Sequence, residues 1–214
     1  KAVHAASSPE RGINALDAVI NTFNNVNALR EHIKSDARIH GIITEGGKAA
    51  NIVPDYAVAQ FYVRATTKTY LKELVEKVKN CARGASLAAG TELEISNYEY
   101  SYDNLVTNKK LSSLFSEQLI KLGCTKIEEP RGSYGSLDAG NVSHCCPTIH
   151  PYFDITNDTE IVAHTKEFAE ATTTKYAYEQ MKLTITSLVM TAVEVIQKKE
   201  LLTQIKEEFE NTEK

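Results

Sequence analysis

The chain has 214 residues, 42% of them hydrophobic, which is enough to bury a core in one or two domains. Its 24 basic and 28 acidic residues give a formal net charge of -4. There is no overall basic field to gather phosphates or anionic lipids, and no apolar run approaches the roughly 20 residues that cross a bilayer. Nucleic acid and membranes are therefore not expected as partners.

The four cysteines lie at positions 81, 124, 145 and 146, without the spacing of a disulfide framework. Adjacent cysteines such as Cys145 and Cys146 rarely bridge each other. A reducing cytoplasm is the predicted location. The chain opens on Lys1 without an initiator methionine, which indicates a fragment or a processed product.

The N-terminal half begins with a predicted strand at residues 1–6. A serine cap, a proline and a glutamate within residues 7–10 predict that the first helix starts there, and its apolar residues recur every three or four positions as far as Ile33. Residues 38–44 and 57–65 alternate as two strands on either side of a glycine turn. They predict a hairpin-like pair.

The second predicted helix carries an apolar stripe from Leu71 to Ala85 and closes at Gly90, after which residues 91–98 alternate as a fourth strand. The resulting order is β-α-β-β-α-β. This is the order of the ferredoxin-like double split unit, in which two helices cover one face of an antiparallel sheet. We therefore predict a ferredoxin-like domain over residues 1–100.

The C-terminal half, residues 101–214, has the pattern of part of an α/β layer. Helices are predicted at 111–123 and 176–197, and strands at 124–128, 141–146 and 148–155. The inward positions of the long helix are predicted to be Met181, Ile185, Leu188, Ala192 and Ile196. The strands are too few for a sheet of the usual size, so this α/β segment should be incomplete. Residues 198–214 are mostly charged and predict a solvated helical extension.

Three features stand apart from the needs of folding: His4 on the first strand, the glycine-rich loop at 132–141, and His164. His164 follows an acidic segment and precedes a predicted helix, which suits a metal-binding imidazole presented from a loop. A surface or capping histidine is the alternative, and the spacing alone favours it. A catalytic zinc needs about three protein ligands, and no other convincing ligand group is apparent.

Other segments offer weaker candidates. His144, Cys145, Cys146 and His150 are rival metal ligands, but consecutive strand residues point to opposite faces, so packing roles are favoured for them. The glycine-rich loop lacks the setting of a dinucleotide or phosphate site and fits close backbone approach to a small ligand better.

Arg64 shares one face of its strand with Gln60 and Tyr62. Its planar guanidinium suits a carboxylate, although an exposed strand arginine is ordinarily just solvated. Asn51 could donate its amide to the same carboxylate, and a turn asparagine is at least as good an interpretation.

Taken together, these segments resemble the dinuclear metal amidohydrolases and peptidases that include aminoacylases, glutamate carboxypeptidases and auxin-conjugate hydrolases. The resemblance is carried, in order, by KAVHAASSP at 1–9, GINALDA at 12–18, IHGIIT at 39–44, NIVPD at 51–55 and YVRA at 62–65. Three later segments are similar to the p-aminobenzoyl-glutamate hydrolase branch: SLDAGNVS at 136–143, IHPYF at 149–153 and HTKEFA at 164–169.

The resemblance implies that residues 1–100 are a lid and dimerisation domain and that residues 101–214 are the C-terminal part of a catalytic domain. It implies that His164 is a metal ligand and that His4 is catalytic, reaching over a dimer partner's site to stabilise the oxyanion or bind substrate. Asn51 and Arg64 would hold the substrate carboxylate. Gly135 and Ser136 would line the substrate pocket.

The fuller enzyme would use two zinc or manganese ions to activate a water, with a glutamate general base. The resemblance places that glutamate and the remaining metal ligands upstream of this chain, so the chain alone is expected to be inactive. The substrate would be an N-acyl or aroyl amino acid, or a dipeptide.

Two further hypotheses remain. The chain could be a non-catalytic dimerisation or ligand-binding module of ferredoxin-like type. It could also be a hydrolase with Cys145 or Cys146 as nucleophile, which is the weakest hypothesis because the sequence supplies no recognisable base or thiolate-stabilising setting.

Overall fold

The computed structural model describes residues 1–128, 136–157 and 159–213. The chain divides into two compact units, Lys1–Ser101 and Tyr102–Lys214. The described elements are strands β1 (Arg38–Glu45) and β2 (Val58–Arg64) and helices α1 (Ala15–Leu29), α2 (Lys68–Ala89), α3 (Lys109–Lys121), α4 (Ala139–Ser143), α5 (Lys166–Ala171), α6 (Lys175–Gln197) and α7 (Lys199–Asn211). The fold class is therefore α+β. None of the described helices combines the length and the apolarity needed to span a membrane.

The predicted hairpin-like pair is confirmed, since β1 and β2 are antiparallel, with Arg38 opposite Arg64 at one end and Glu45 opposite Val58 at the other. Alternation along β2 directs Phe61 towards the helices and leaves Tyr62 exposed. One face of the sheet is therefore packed and the other is open.

The core of the first unit lies between this sheet and helices α1 and α2. Val26, Ile39, Leu74 and Val78 are buried in one cluster, to which Phe61 adds its ring. The apolar stripe predicted for α2 is confirmed by this burial. The helix ends where Gly90 adopts a left-handed φ of 69°, as the glycine predicted.

The first and fourth strands of the predicted ferredoxin-like sheet do not form within the described residues. In place of the first, His4 makes an isolated bridge to Ile52. Residues 91–98 form no ladder, and Thr91 instead bonds back to the end of α2, with its N–H donating to the Ser86 carbonyl at 3.1 Å. The described structure therefore holds the pair formed by the second and third predicted strands.

The first helix starts later than predicted. The serine and proline signals initiate only a 3₁₀ turn, Pro9–Arg11. Helix α1 begins at Ala15 because the Asn14 side chain accepts hydrogen bonds from the first-turn N–H groups, at 3.0 Å from Leu16. The helix also ends earlier than Ile33, because the chain passes into a second 3₁₀ turn after Leu29.

In the second unit, the predicted strand at 141–146 is wrong, because its first residues belong to helix α4. Helix α4 packs so closely on the preceding segment that a Cβ on Gly140 would lie 2.0 Å from the Asp103 carbonyl oxygen. The fully buried Ser143 accepts a hydrogen bond from the Val106 N–H at 2.8 Å. Residues 124–128 form no strand either, and the segment at 148–155 contributes only a bridge between Thr107 and Thr148.

The predicted inward face of α6 is also wrong within this chain. The buried residues of α6 are small, namely Ala177, Thr184, Ser187 and Thr191. Its large apolar residues are exposed, including Ile185 at 51% and Ile196 at 81%. Since α6 contacts α3 and α7, the small side chains form the packed face.

The C-terminal extension is helical, as predicted, but it is not simply solvated. Ile205 of α7 is only 2% exposed. Its carbonyl accepts a hydrogen bond from the buried Asn108 side chain at 2.9 Å. Helix α7 is therefore docked at the start of α3.

Candidate functional site

His4 is exposed and its ring is oriented by local hydrogen bonds. The Ala6 N–H donates to His4 Nδ1 at 3.3 Å, and the Ser7 hydroxyl lies 3.3 Å from the same nitrogen. A ring that accepts at Nδ1 carries its proton on Nε2 when it is neutral. The backbone therefore selects the tautomer that presents an N–H donor at Nε2.

Asn51 lies beside His4 because the two segments pair through their backbones. The Ala5 N–H donates to the Asn51 carbonyl at 2.9 Å, and the Val53 N–H donates to the Val3 carbonyl at 2.9 Å. Both His4 and Asn51 are exposed. The structure thus brings these two predicted site residues together.

Arg64 lies at the opposite end of the sheet. Asn51 belongs to the connection that enters β2 at Val58, whereas Arg64 is the last residue of that strand. A strand of this length spans roughly 20 Å at about 3.3 Å per residue. Asn51 and Arg64 of one chain therefore do not reach the same small carboxylate.

Arg64 belongs to an aromatic and acidic cluster on the open face of the sheet. Its guanidinium carbon lies 5.5 Å from the centroid of the Tyr62 ring. The Tyr62 hydroxyl donates to a Glu99 carboxylate oxygen at 2.5 Å, and the Tyr98 ring meets the Tyr62 ring edge-on at 5.7 Å. We call Tyr62, Arg64, Tyr98 and Glu99 the open-face cluster.

The hydrogen bond to Glu99 has an electrostatic consequence for Tyr62. Chiefly because its hydroxyl donates to that carboxylate, the pKa of Tyr62 is raised to about 12. The phenol therefore remains a neutral donor across the physiological pH range. Sequence reasoning did not include Tyr98 or Glu99, and the alternation of residues 91–98 was attributed to a strand instead.

His164 occupies an unusual backbone position in the second unit. It is exposed and has a left-handed φ of 67°, a conformation that costs a residue with a side chain on the order of 1 kcal/mol. The next residue, Thr165, caps α5 by accepting from the Phe168 N–H at 3.2 Å. His164 is thus held in a turn just before a helix, as the sequence predicted.

The surroundings of His164 do not form a complete metal site. Across residues 1–128, 136–157 and 159–213, no group of three or more His, Cys, Asp or Glu side chains is placed to hold an ion. A shallow, open depression of about 380 Å³ in this unit is lined by residues that include Ile161, Glu167 and Tyr176. His164 is therefore a single candidate ligand within the described part of the chain.

The predicted pocket loop is described only in part. Gly135 lies outside the described residues. Ser136 is exposed and precedes α4. Its predicted role in the substrate pocket stays a prediction.

The two adjacent thiols do not form a nucleophile and base pair with His144. The Cys146 sulfur lies 3.7 Å from the Val142 carbonyl and 3.8 Å from the Thr148 hydroxyl. The Nε2 of His144 is paired with the Asn104 carbonyl at 3.0 Å. A neighbouring imidazole, that of His150, has a buried Nδ1 without a hydrogen-bond partner among the described residues. These contacts do not support nucleophilic catalysis, and the exposure of Cys145 and Cys146 contradicts the buried packing role predicted for them.

Comparisons with known proteins agree with the lid-like first unit. Residues 1–88 match the peptidase dimerisation domain. The chain is 41% identical to the Xaa-Arg dipeptidase of Homo sapiens over 212 residues, which are 98% of this chain and 48% of that protein. It is 33% identical to a p-aminobenzoyl-glutamate hydrolase subunit of Escherichia coli over 123 residues, 57% of this chain and 25% of that protein.

Among solved structures, an aminobenzoyl-glutamate utilization protein from Klebsiella pneumoniae is similar with a TM-score of 0.57 and 20% identity. The similarity covers 67% of this chain and 37% of that chain, and it supports the fold alone. The first unit thus contains a dimerisation domain of the kind found in peptidases. These matches support the M20 peptidase family for this partial chain, in agreement with the resemblance to aminoacylases and p-aminobenzoyl-glutamate hydrolases. It spans about half the length of the dipeptidases that it matches.

Proposed function

We propose that the whole protein containing this chain is a metal-dependent amidohydrolase that cleaves the amide bond of dipeptides or of N-acyl and aroyl amino acids. One observation carries the proposal, the 41% identity over 212 residues to an enzyme named Xaa-Arg dipeptidase. That similarity is longer and stronger than the similarity to the p-aminobenzoyl-glutamate hydrolase of Escherichia coli. Dipeptides therefore rank ahead of p-aminobenzoyl-glutamate-like substrates.

Residues 1–100 are proposed to form the lid and to pair with a second copy in a homodimer. The match to a dimerisation domain supports this role. A complete ferredoxin-like sheet of four strands is part of the same proposal. Two of these strands, β1 and β2, are paired within the described residues. The four free cysteines support a reducing compartment, the cytoplasm.

The separation of Asn51 from Arg64 bears on how a dimer would work. Because His4 and Asn51 lie together and Arg64 lies at the far end of β2, these groups would meet one substrate only if they come from different copies. We therefore propose that His4 and Asn51 of one copy act on the site to which the other copy contributes Arg64. The Nε2–H of His4 would donate to the oxyanion that develops as the amide is attacked.

His164 is proposed to supply one ligand to a divalent metal site of zinc or manganese, completed by residues outside this chain. When bound, such an ion lowers the pKa of a coordinated water and polarises the carbonyl. The exposed imidazole, held in a left-handed turn before α5, supports the assignment. Ser136, with Gly135, is proposed to line the pocket for the acyl side of the substrate.

Residues 101–214 are proposed to be the C-terminal part of an α/β catalytic domain. Helix α6 supports this, because it is apolar on the face that this chain leaves exposed as well as rich in small residues on the packed face. A large exposed apolar face usually marks a surface that another element or partner covers. The remainder of the catalytic domain would cover the exposed face.

The first experiment measures metal content and dipeptide hydrolysis by the whole protein. His164→Ala should lower metal occupancy, whereas His32→Ala, which removes an exposed imidazole of the first unit, should not. Occupancy that His164→Ala leaves unchanged would remove the ligand assignment. A whole protein with neither metal nor hydrolysis would favour the alternative, a non-catalytic dimerisation or ligand-binding module.

The second experiment tests the division of roles between copies. His4→Ala and Arg64→Ala homodimers should both be nearly inactive. Heterodimers of the two variants should regain activity at one of their two sites, because that site receives a normal His4 and a normal Arg64. Heterodimers as inactive as the parents would show that both residues act from the same copy.

A further inference from the structure

The open-face cluster contains both kinds of charge around one phenol ring. The Arg64 guanidinium lies over the face of Tyr62, and the Glu99 carboxylate is held at its hydroxyl, with the Tyr62 Oη and Glu99 Oε2 atoms 2.5 Å apart. The edge-on contact from Tyr98 fixes the ring between them.

Glu99 retains binding capacity after its bond to Tyr62. An ionised carboxylate offers about four lone-pair sites, and the hydroxyl of Tyr62 uses one of them. Glu99 is exposed, so its remaining acceptor sites face solvent. A carboxylate beside tyrosine rings is suited to a guanidinium, which binds carboxylates through its planar fork and stacks on aromatic faces.

This arrangement matches the charges of a basic amino acid. If Arg64 takes the terminal carboxylate of a dipeptide, the C-terminal residue of that dipeptide binds next to the cluster that contains Glu99. A neutral side chain would offer Glu99 no charged partner, and an acidic side chain would be repelled by it. A basic side chain would form an ion pair with Glu99.

We propose that Glu99, held by Tyr62, is the specificity residue that selects a basic side chain at the C-terminal position of the substrate. This rests on the proposed function, in which the whole protein hydrolyses dipeptides and Arg64 binds the terminal carboxylate. Glu99 acts by charge pairing alone and takes no part in bond breaking.

The test compares Glu99→Gln with wild type in the whole protein. We expect kcat/KM for alanyl-arginine to fall by roughly tenfold, as for the loss of a hydrogen-bonded charge partner near the surface, while kcat/KM for alanyl-leucine stays unchanged. Glu99→Lys should reverse the preference and favour alanyl-glutamate. Glu94→Gln is the matched control, because it removes the same charge from an exposed position on the same segment and should alter neither substrate.

Calorimetric binding of free L-arginine and L-leucine separates this inference from the function beneath it. If the protein hydrolyses no dipeptide but Glu99→Gln binds arginine more weakly than wild type, the proposed function is wrong and the role of Glu99 is supported. Equal losses for the arginine and leucine substrates would show that Glu99 merely positions Tyr62 and would overturn the inference. Equal binding of arginine by Glu99→Gln and wild type would overturn it as well.

Discussion

Replacing Glu208 of α7 with alanine should loosen the first turn of α3, although the two segments are far apart in the sequence. The Glu208 carboxylate accepts hydrogen bonds from the Lys109 N–H at 2.6 Å and the Lys110 N–H at 2.8 Å. The first N–H groups of a helix have no partner within the helix, and their end of the helix dipole favours a negative charge. Glu208 therefore caps α3 together with Asn108.

The size of the effect follows from these two contacts. Losing a capping side chain costs about 1 kcal/mol, and hydrogen bonds to a charged acceptor contribute roughly 1.5–3 kcal/mol. Glu208 is only partly buried, so solvent screening places the loss at the lower end, about 1–2 kcal/mol. A change of one or two kcal/mol alters an opening equilibrium by a factor of about 5–30.

Amide hydrogen exchange of the whole protein measures this directly. In Glu208→Ala, the amides of α3 and α7 should exchange faster by about that factor, while those of α1 and α2 should not change. Glu207→Ala is the control, since it makes the same substitution one residue earlier at an exposed position. If both variants, or neither, accelerate exchange in α3, the capping argument is refuted.

Other predictions follow from close contacts, charge and exposure. Gly41→Ala should cost about 1–3 kcal/mol in urea denaturation, because its Cβ would lie 2.5 Å from the facing phenylalanine ring. Gly84→Ala on α2, where no described atom lies within 4 Å, should instead stabilise by up to about 1 kcal/mol; the opposite order would contradict this assignment. The pKa of Glu194 is lowered from 4.5, first by the hydrogen bond from the lysine one turn later. Its stabilising contribution is present above that ordinary pKa and is lost as the pH falls through the lowered value, so Glu194→Gln should flatten the acid limb of a stability–pH curve. In the whole protein with its exposed native cysteines changed to serine, Ile185→Cys should react with a thiol reagent more slowly than Thr186→Cys, and equal rates would argue against a covered α6 face.

The elements that sequence predicted well are those whose signals are local and whose packing lies within the first unit. The α2 stripe and its closing Gly90 need only the neighbouring sheet and helix, and both are present. The pairing of β1 with β2 follows from the alternation of both segments and from the glycine turn after β1. The start of α1 was misplaced because two capping signals compete, and Asn14 prevailed over the serines at 7 and 8 by bonding two N–H groups of the helix.

The candidate site shows the same limit in another form. The types of residue at positions 4, 51 and 64 can be taken from sequence motifs, but their grouping cannot, because it depends on which strand ends meet. The pairing of the first residues with 51–53 joins His4 to Asn51. Glu99 was missed because its partner, Tyr62, is distant in sequence and the contact runs through side chains rather than through a strand ladder.

The C-terminal helices show that a correct helical period does not by itself decide which residues of a helix are buried. In α7, the predicted solvated extension was wrong, because the apolar residues Leu202, Ile205 and Phe209 recur at helical spacing and Ile205 is buried.

In α6 the helical period itself was right, but two opposite faces satisfy it. The face that packs on α3 and α7 is made of small residues such as Ser187, which allow close approach of the backbones. The face of Ile185, Leu188 and Ile196, the one that size alone would assign to the interior, lies outward in this chain. Both assignments hold together if a second layer covers the large residues in the whole protein. In that case α6 would be a central helix of the catalytic domain rather than a surface helix.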